Sequence, residues 1–349
     1  MRHVTFAVPG DLATQTGGYA YDRRMIGELQ LLGWHIDILG LGDGFPWPSS
    51  QTRAAAQTLL MSVRRNGPIV IDGLAFGVLP DVGFKLRSHH PLVALIHHPL
   101  AFESGLFPEQ IAVLRESERA ALSCAIRVVV TSKTTAHYLV ADYAVPTERI
   151  IVVQPGTDPA PSAQGSSGGV VQLLSIGSVV PRKGFDVLIA ALATLTDLPW
   201  RLTIVGDRDR DPKTVAQLDK DIVRFNLNDR IAVVGAVPSA DLAELYDRAD
   251  LFVLASRFEG YGMAYTEAIA HGLPLIGTTA GAIPDTVPAG TCILVAPDDS
   301  VELASALRRL IENPGERREL AMGARRVAGQ LPMWRDSAKL FDAVLGSVG

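Results

Sequence analysis

The sequence predicts an α/β protein with two doubly wound domains, on the basis of three observations. Short apolar, β-branched runs recur along the whole chain, helical patterns lie between most of them, and a polar stretch at 158–169 interrupts the alternation. Strands that alternate with amphipathic helices form parallel sheets covered on both faces. A chain of 349 residues is long enough for two domains, each with its own core.

The first predicted domain comprises residues 1–160. Helical patterns at Tyr21–Leu32 and Gln110–Leu122 alternate with short runs rich in valine and isoleucine, and this alternation indicates a parallel sheet. The predicted strands are Val4–Val8, His35–Leu39, Ile69–Ile71, Leu92–Ile96, Arg127–Val130 and Ile150–Val153.

The polar stretch predicts a domain boundary, because Asp158–Gly169 is rich in proline, serine and glycine, as linkers are. We expect a hinge at Ser162–Gly169 and a second domain at 169–332. Its predicted strands are Val170–Ile176, Arg201–Val205, Ile231–Val234, Leu251–Leu254 and Leu275–Gly277. Its predicted helices are Phe185–Leu195, Lys213–Phe225, Ala240–Arg248 and Ala264–His271. Ligands of doubly wound folds bind at the carboxyl ends of the strands, so we expect both domains to face a central cleft.

Composition excludes several classes of protein. A hydrophobic content of 48% and a charged content of 20% are typical of globular domains, and the net charge of -5 with no basic stripe argues against a nucleic-acid partner. The two cysteines, Cys124 and Cys292, lie far apart, as expected for core thiols in a reducing compartment. No apolar run is long enough for a signal peptide or a membrane span. We therefore expect a cytoplasmic protein, and any contact with the membrane is expected to be peripheral, at the inner face.

Three glycine-containing segments precede predicted helices and are candidate anion sites. They are Gly17-Gly18, Lys183-Gly184 and the segment from Glu259 to Glu267. A helix N-terminus presents unpaired N–H groups and the positive end of the helix dipole, which together favour phosphate. No G-x-G-x-x-G follows any predicted strand, so NAD and FAD are disfavoured.

The segment from Glu259 to Glu267 carries the most information. Gly260 and Gly262 permit a tight turn, and Met263 begins the next helix. Glu267 then lies one turn into that helix, where a carboxylate can accept both hydroxyls of a ribose, and Glu259 is expected to be free to reach another part of the same ligand. The alternative for each glutamate is a carboxylate that complements the helix dipole.

The residues around this segment resemble the signature of a known family. The matching stretches are Tyr246–Ser256, Phe258–Gly260, Glu267–Pro274 and Gly281–Asp285, with weaker matches at Gly17-Gly18, Thr131-Ser132, Pro155–Asp158 and Val180–Gly184. This pattern resembles the retaining nucleotide-sugar glycosyltransferases of family 4, which have the GT-B fold of two Rossmann-like domains. The resemblance covers nearly the whole chain and is strongest at residues 170–290.

The resemblance implies roles for residues of the second domain. Glu267 is expected to bind the ribose of the donor, and Glu259 to contact the donor sugar and help hold charge at the reacting carbon. The backbone amides of Gly262 and Met263 are expected to contact the diphosphate. Lys183 is expected to neutralise the diphosphate as it leaves, which is electrostatic catalysis.

Further donor contacts are implied around these residues and in the first domain. Ser178 stands where the family has an arginine, and Arg182 either supplies the missing charge or points to solvent. Gly17 and Gly18 are expected to bind the donor. His97, rather than the neighbouring His98, is expected to touch the donor sugar and the acceptor. No third ligand with metal-site spacing accompanies these histidines, so no metal site is predicted.

The implied activity is hexosyl transfer from a UDP-sugar or a GDP-sugar such as GDP-mannose, with no metal and no further cofactor. The implied acceptor is a hydroxyl of a sugar, a lipid-linked molecule or a small molecule. The last helix, 333–349, is expected to pack back on the first domain. Alternatives are a GT-B epimerase or phosphorylase acting on related substrates, and a nucleotide-sugar-binding protein without turnover.

Overall fold

The computed structural model describes residues 2–64 and 67–348, which form two compact units. One unit is Met1–Gly156 with Pro332–Gly349, and the other is Thr157–Leu331. Each contains a six-stranded sheet in which every pair of neighbouring strands is parallel. The predicted α/β class with two doubly wound sheets is confirmed.

The sheet of the first unit has the strand order β2-β1-β3-β4-β5-β6. Its strands are β1 (Arg2–Val8), β2 (Trp34–Gly40), β3 (Ile69–Asp72), β4 (Leu92–Ile96), β5 (Arg127–Val130) and β6 (Ile150–Val152). Its helices before the second unit are α1 (Gly17–Leu31), α2 (Ser50–Met61), α3 (Gly73–Phe76), α4 (Pro80–Leu86), α5 (Pro108–Leu122) and α6 (Lys133–Tyr143). Because the chain leaves β1 and β3 toward opposite edges of the sheet, a crevice opens at their carboxyl ends.

The sheet of the second unit has the order β12-β11-β10-β7-β8-β9. Its strands are β7 (Val171–Ile176), β8 (Trp200–Val205), β9 (Ile231–Val233), β10 (Leu251–Val253), β11 (Leu275–Thr278) and β12 (Cys292–Val295). Its helices are α7 (Phe185–Ala193), α8 (Pro212–Arg224), α9 (Ser239–Arg248), α10 (Met263–Ala270), α11 (Ile283–Thr286), α12 (Ser300–Glu312) and α13 (Pro314–Ala328). Here the order reverses between β7 and β10, which places the binding crevice of this unit at the ends of those two strands.

The proline- and serine-rich stretch at 158–169 differs from the expected linker. The unit boundary falls between residues 156 and 157, so the stretch belongs to the second unit. Ala163 N–H donates to His271 O at 2.8 Å, and Ser166 Oγ donates to Asp250 Oδ2 at 2.6 Å. These bonds explain why a segment with linker composition, including the expected hinge, is held against this unit.

The C-terminal helix α14 (Trp334–Gly346) belongs to the first unit. Its buried side chains recur at helical spacing, and the ring of Phe341 lies 5.9 Å from that of Phe6 in β1. At the same face, Trp34 Nε1 donates to Asp342 Oδ1 at 2.7 Å. The helix therefore covers the face of the sheet beside α1.

The helices are short, and the longest of them, α1, α5 and α13, have 15 residues each. A helix that crosses a bilayer needs about 20 apolar residues. Within the described residues, no helix has both the length and the hydrophobicity for a membrane span.

Candidate active site

The crevice of the second unit is built by the turns that follow β7 and β10. After β7 the chain forms a 3₁₀ turn, Pro181–Lys183, which ends at Gly184 with φ of 63°. A Cβ at Gly184 would collide with the carbonyl oxygen of Ala255. Only glycine therefore lets the turn lie against the end of β10, and this contact brings Lys183 toward the loop that carries Glu259.

Two cations and a hydroxyl converge on the carboxylate of Glu259. Lys183 Nζ and Ser256 Oγ each donate to Oε1 at 2.6 Å, and Arg182 Nη1 donates to Oε2 at 3.3 Å. We call these four residues the Glu259 cluster. Glu259 is only 6% exposed, so both carboxylate oxygens are held inside the protein. The structure thus differs from the expectation that Glu259 extends freely toward a ligand.

The charge of Glu259 is fixed by these neighbours. Burial alone would raise its pKa, but the charges of Lys183 and Arg182 outweigh burial and lower the pKa to about 2. Glu259 is therefore ionised at neutral pH. A buried carboxylate between two cations also holds both cationic side chains in one orientation.

Arg182 faces the cluster and not the solvent. Its Nη1 also donates to Phe258 O at 2.8 Å, and its side chain is 15% exposed. Ser178, at the position of the family's arginine, lies just beyond β7, next to Gly177. A Cβ on Gly177 would lie 3.0 Å from Lys183 Cε, so the lysine side chain lies across this backbone.

Arg257 is a structural residue of the site that the sequence did not single out. Its guanidinium donates to Asp186 at 3.0 and 2.7 Å, to Asp298 at 2.6 Å and to Pro181 O at 2.5 Å. These bonds tie the start of α7 and the turn at Pro181 to the loop after β10. It stands between two of the family-like stretches, which end at Ser256 and resume at Phe258, and its partners are distant in sequence.

The N-terminus of α10 adjoins the Glu259 cluster. Gly262 precedes the helix with φ of 97°, and a Cβ there would lie 3.9 Å from that of Glu259. Met263 is the first helical residue, so the N–H groups at the start of the helix lie beside the cluster. This end of α10 and the two cations form one region suited to an anion.

Glu267 lies one turn into α10 and is only partly exposed. Tyr246 Oη donates to Glu267 Oε2 at 3.0 Å. Burial raises the pKa of Glu267 to about 6, with a further upward contribution from Asp158, although the bond from Tyr246 favours the ionised form. Glu267 is therefore mostly ionised at neutral pH and becomes protonated in mild acid.

In the first unit, the predicted glycines and histidine lie at the carboxyl edge of the sheet. Gly17 and Gly18 are the first residues of α1, and His97 follows β4 directly. A Cβ on Gly18 would lie 3.3 Å from His97 Cδ2, so the imidazole packs on this glycine. His97 Nε2 lies 3.1 Å from Asp22 Oδ1 and 3.4 Å from Asp72 Oδ2.

The sequence did not reveal Asp22 and Asp72 as partners of His97. Spacing along the chain gave no third metal-ligand residue beside the histidines, yet in the structure these three side chains have donor atoms within 4.8 Å of one another. They come from α1, the end of β3 and the residue after β4, and only the sheet order brings them together.

Two glycosyltransferase families match the chain. Glycosyltransferase Family 4 matches residues 25–161, and Glycosyl transferases group 1 matches residues 171–313. These ranges coincide with large parts of the two units.

Individual proteins agree with the family matches. The chain is 29% identical to the MMP alpha-(1->4)-mannosyltransferase of Mycolicibacterium hassiacum over 86% of this chain and 75% of that protein. It spans less than two thirds of two other curated relatives, 61% of one and 44% of the other. In structure it is similar to sucrose-phosphate synthase of Thermosynechococcus elongatus, with a TM-score of 0.85, 21% identity and 99% of both chains covered. It is also similar to HepE of Anabaena in complex with UDP-glucose, with a TM-score of 0.77, 19% identity and 98% and 99% coverage of this chain and that one.

Fold and family matches define a glycosyltransferase with the GT-B fold. The chain belongs to these enzymes through a family 4 domain in its first unit and a group 1 domain in its second.

The first prediction concerns the Glu259 cluster. Glu259→Gln removes the buried carboxylate charge that pairs with two partly buried cations, so we expect the free energy of unfolding at pH 7 to fall by roughly 3–5 kcal/mol. Because the folded pKa of Glu259 lies below its ordinary value of 4.5, this contribution is complete above 4.5 and is lost as the pH falls toward about 2. Urea denaturation at a series of pH values measures it.

The matched control is Glu244→Gln, which removes the exposed partner of Arg248 in the same unit. We expect it to change the free energy of unfolding by less than about 1 kcal/mol. Equal effects of the two substitutions, or a Glu259→Gln effect that does not depend on pH, would contradict the assigned charge state.

Proposed function

We propose that this enzyme is a retaining hexosyltransferase that uses a UDP- or GDP-sugar and requires no metal. The observation that carries the proposal is the convergence of Arg182 and Lys183 on Glu259 beside the N-terminus of α10, at the point where the strand order of the second unit reverses. Phosphate-bearing ligands of doubly wound folds bind at such a place.

The donor diphosphate is proposed to bind between this helix end and the two cations. Backbone N–H groups at Gly262 and Met263 would donate to phosphate oxygens, and Lys183 and Arg182 would add charge-assisted bonds. In this arrangement Arg182 takes the place of the arginine that the family has at position 178. Glu267, one turn along α10, would accept the two ribose hydroxyls.

Catalysis would then rest on electrostatics and positioning. As the glycosidic bond of the donor breaks, negative charge grows on the diphosphate and positive charge grows on the sugar carbon. Lys183 stabilises the former, and the ionised Glu259, which also orients Lys183, stabilises the latter. The departing phosphate takes the proton of the acceptor hydroxyl on the same face of the sugar, so the anomeric configuration is retained and no enzyme nucleophile is required.

The first unit is proposed to contribute Gly17 and Gly18 to donor binding, and His97 to contact with the transferred sugar. The relatives support a hexose donor, since one is named a mannosyltransferase forming an alpha linkage and another was solved with UDP-glucose. The acceptor is proposed to be a hydroxyl of a sugar, of a lipid-linked molecule or of a small molecule. Action in the cytoplasm, with peripheral contact at the inner membrane face, belongs to the same proposal.

The function is tested by thermal unfolding with UDP, GDP, ADP and their sugar conjugates, each with magnesium and with EDTA. A ligand of the folded state raises the unfolding temperature, and we expect one nucleotide to do so equally in both conditions. The stabilising sugar conjugate is then incubated with candidate acceptors, and the anomeric configuration of the product is read by NMR. An inverted product, turnover of the donor without acceptor, or strict dependence on magnesium would contradict the proposal.

The second prediction concerns ribose binding by Glu267. Only the ionised carboxylate accepts two hydroxyls, so we expect affinity for the sugar nucleotide to fall as the pH drops through about 6, the pKa of Glu267. The intact sugar nucleotide is used because its diphosphate is esterified at both ends and does not titrate there. Isothermal titration calorimetry between about pH 5 and pH 8 measures the effect.

In Glu267→Gln the affinity at neutral pH should fall by about 10- to 100-fold, because hydrogen bonds to a charged acceptor are lost. The remaining affinity should no longer change across this pH range. An unchanged pH dependence in the variant would assign the titration to another group.

A further inference from the structure

Three polar side chains meet at the carboxyl edge of the first sheet. His97 follows β4, Asp72 is the last residue of β3, and Asp22 lies in the second turn of α1. Asp22 is 0% exposed and Asp72 is 5% exposed, and an oxygen of each lies 3.1 or 3.4 Å from His97 Nε2. Two carboxylates from different elements thus lie within ion-pair distance of the same ring nitrogen.

The surroundings fix these groups in place. Asp72 Oδ1 accepts from Leu74 N at 2.7 Å and caps α3, so its other oxygen is turned toward the imidazole. Thr131 Oγ1 donates to the carbonyl of His97 at 3.1 Å. The ring of Tyr21 meets the imidazole edge-on at 5.3 Å, and its hydroxyl donates to Val153 O at 3.1 Å. In the part of the chain that the structure describes, the titratable groups in contact with the imidazole are therefore Asp22, Asp72 and Tyr21.

A carboxylate buried this completely stays ionised at neutral pH only with a charged partner. His97 supplies that partner as an imidazolium, whose Nε2–H donates to Asp22 Oδ1 at 3.1 Å, while Asp72 Oδ2 lies at ion-pair distance, 3.4 Å from the same nitrogen. Burial would lower the pKa of His97, but Asp22 and Asp72 outweigh it and raise the pKa to about 10. Burial raises the pKa of Asp22 to about 6, with His97 acting in the opposite direction. The cluster therefore holds a charged histidine at neutral pH.

The second ring nitrogen remains available. Within the described residues, Nδ1 of His97 makes no hydrogen bond, and the His97 side chain is 20% exposed. In an imidazolium both nitrogens carry a proton, so Nδ1 can donate but not accept. A histidine in this state cannot act as a general base, whereas it can bind a sugar oxygen firmly.

We propose that Asp22 and Asp72 are positioning residues that hold His97 as an imidazolium, so that His97 meets the donor sugar as a hydrogen-bond donor through Nδ1–H and not as a base. The identity of the ligand rests on the proposed function. The ion pairs of His97 with Asp22 and Asp72 do not, because they are present in the protein without a ligand.

The cluster is tested by NMR of the histidine side chains in the full-length protein, with the His97 signal assigned through its loss in His97→Gln. We expect His97 to remain doubly protonated up to about pH 9 in the wild type. In Asp22→Asn it should lose a proton at a pH lower by about one unit or more, because the nearer carboxylate charge is gone. Asp72→Asn, acting on the longer contact, is the second variant if Asp22→Asn does not fold.

The matched control is Asp37→Asn, which removes a carboxylate 2.8 Å from His3 Nε2 in the same sheet. It should leave the His97 signal and the activity unchanged. A neutral His97 in the wild type, or a His97 that titrates identically in Asp22→Asn, would overturn the inference. So would stoichiometric Zn²⁺ or Mg²⁺ shifting the His97 signal, because the three side chains would then be metal ligands.

The pH dependence of kcat/KM distinguishes a positioning role of Asp22 from a role in stabilising the fold alone. With the donor identified above, we expect Asp22→Asn to lower kcat/KM by about 10- to 100-fold at pH values above the point where its His97 loses the proton, because the charge-assisted hydrogen bond from Nδ1–H is then lost. Its activity should also fall as the pH rises and His97 deprotonates, whereas the wild type shows no such fall below about pH 9. An unaltered pH profile would overturn the inference. Because the NMR experiment needs no donor, its failure is distinguishable from failure of the proposed function.

Discussion

The buried carboxylate of Glu259 is the constraint on which the second unit's site depends. A carboxylate with 6% exposure stays ionised only with charged partners, and here they come from the turn after β7. That turn can reach Glu259 only because Gly184 has no Cβ to strike the neighbouring strand end. On the other side, Gly281 must also lack a Cβ, because one would collide with the carbonyl oxygen of Glu259, which accepts from Ala282 N at 2.9 Å. The ion pairs of Glu259 therefore depend on the backbone geometry that the two glycines permit.

The two units place opposite charge patterns at equivalent edges of their sheets. In the second unit one carboxylate lies between two cations, beside a helix N-terminus. In the first unit one imidazole lies between two buried carboxylates. The first pattern suits an anion such as a diphosphate, whereas the second suits neutral polar groups such as the hydroxyls of a sugar. Each pattern follows from the order of strands, which sets the chain segments that meet at the crevice.

Local sequence predicted much of this arrangement. Apolar runs and helical spacing located the six strands of the first sheet, and the glycines around Glu259 and at the start of α1 located the helix ends that form the sites. These signals succeed because they depend on residues within one element or one turn.

What sequence could not supply depends on contacts between distant segments. Asp22 and Asp72 lie far from His97 along the chain, so no spacing rule links them. The orientation of Arg182, open to two interpretations from sequence, is set by Glu259. The stretch at 158–169 has the composition of a linker, yet hydrogen bonds to His271 and Asp250 hold it to the second unit.

We propose that the turn carrying Arg182 and Lys183 binds the diphosphate of the donor. It is tested most directly by calorimetric affinities for the nucleoside diphosphate and monophosphate of the preferred base, in the wild type, in Lys183→Gln and in the exposed control Lys220→Gln. We expect the wild type and the control to favour the diphosphate by about tenfold or more, and Lys183→Gln to lose most of this preference. An equal preference in all three proteins would contradict the account.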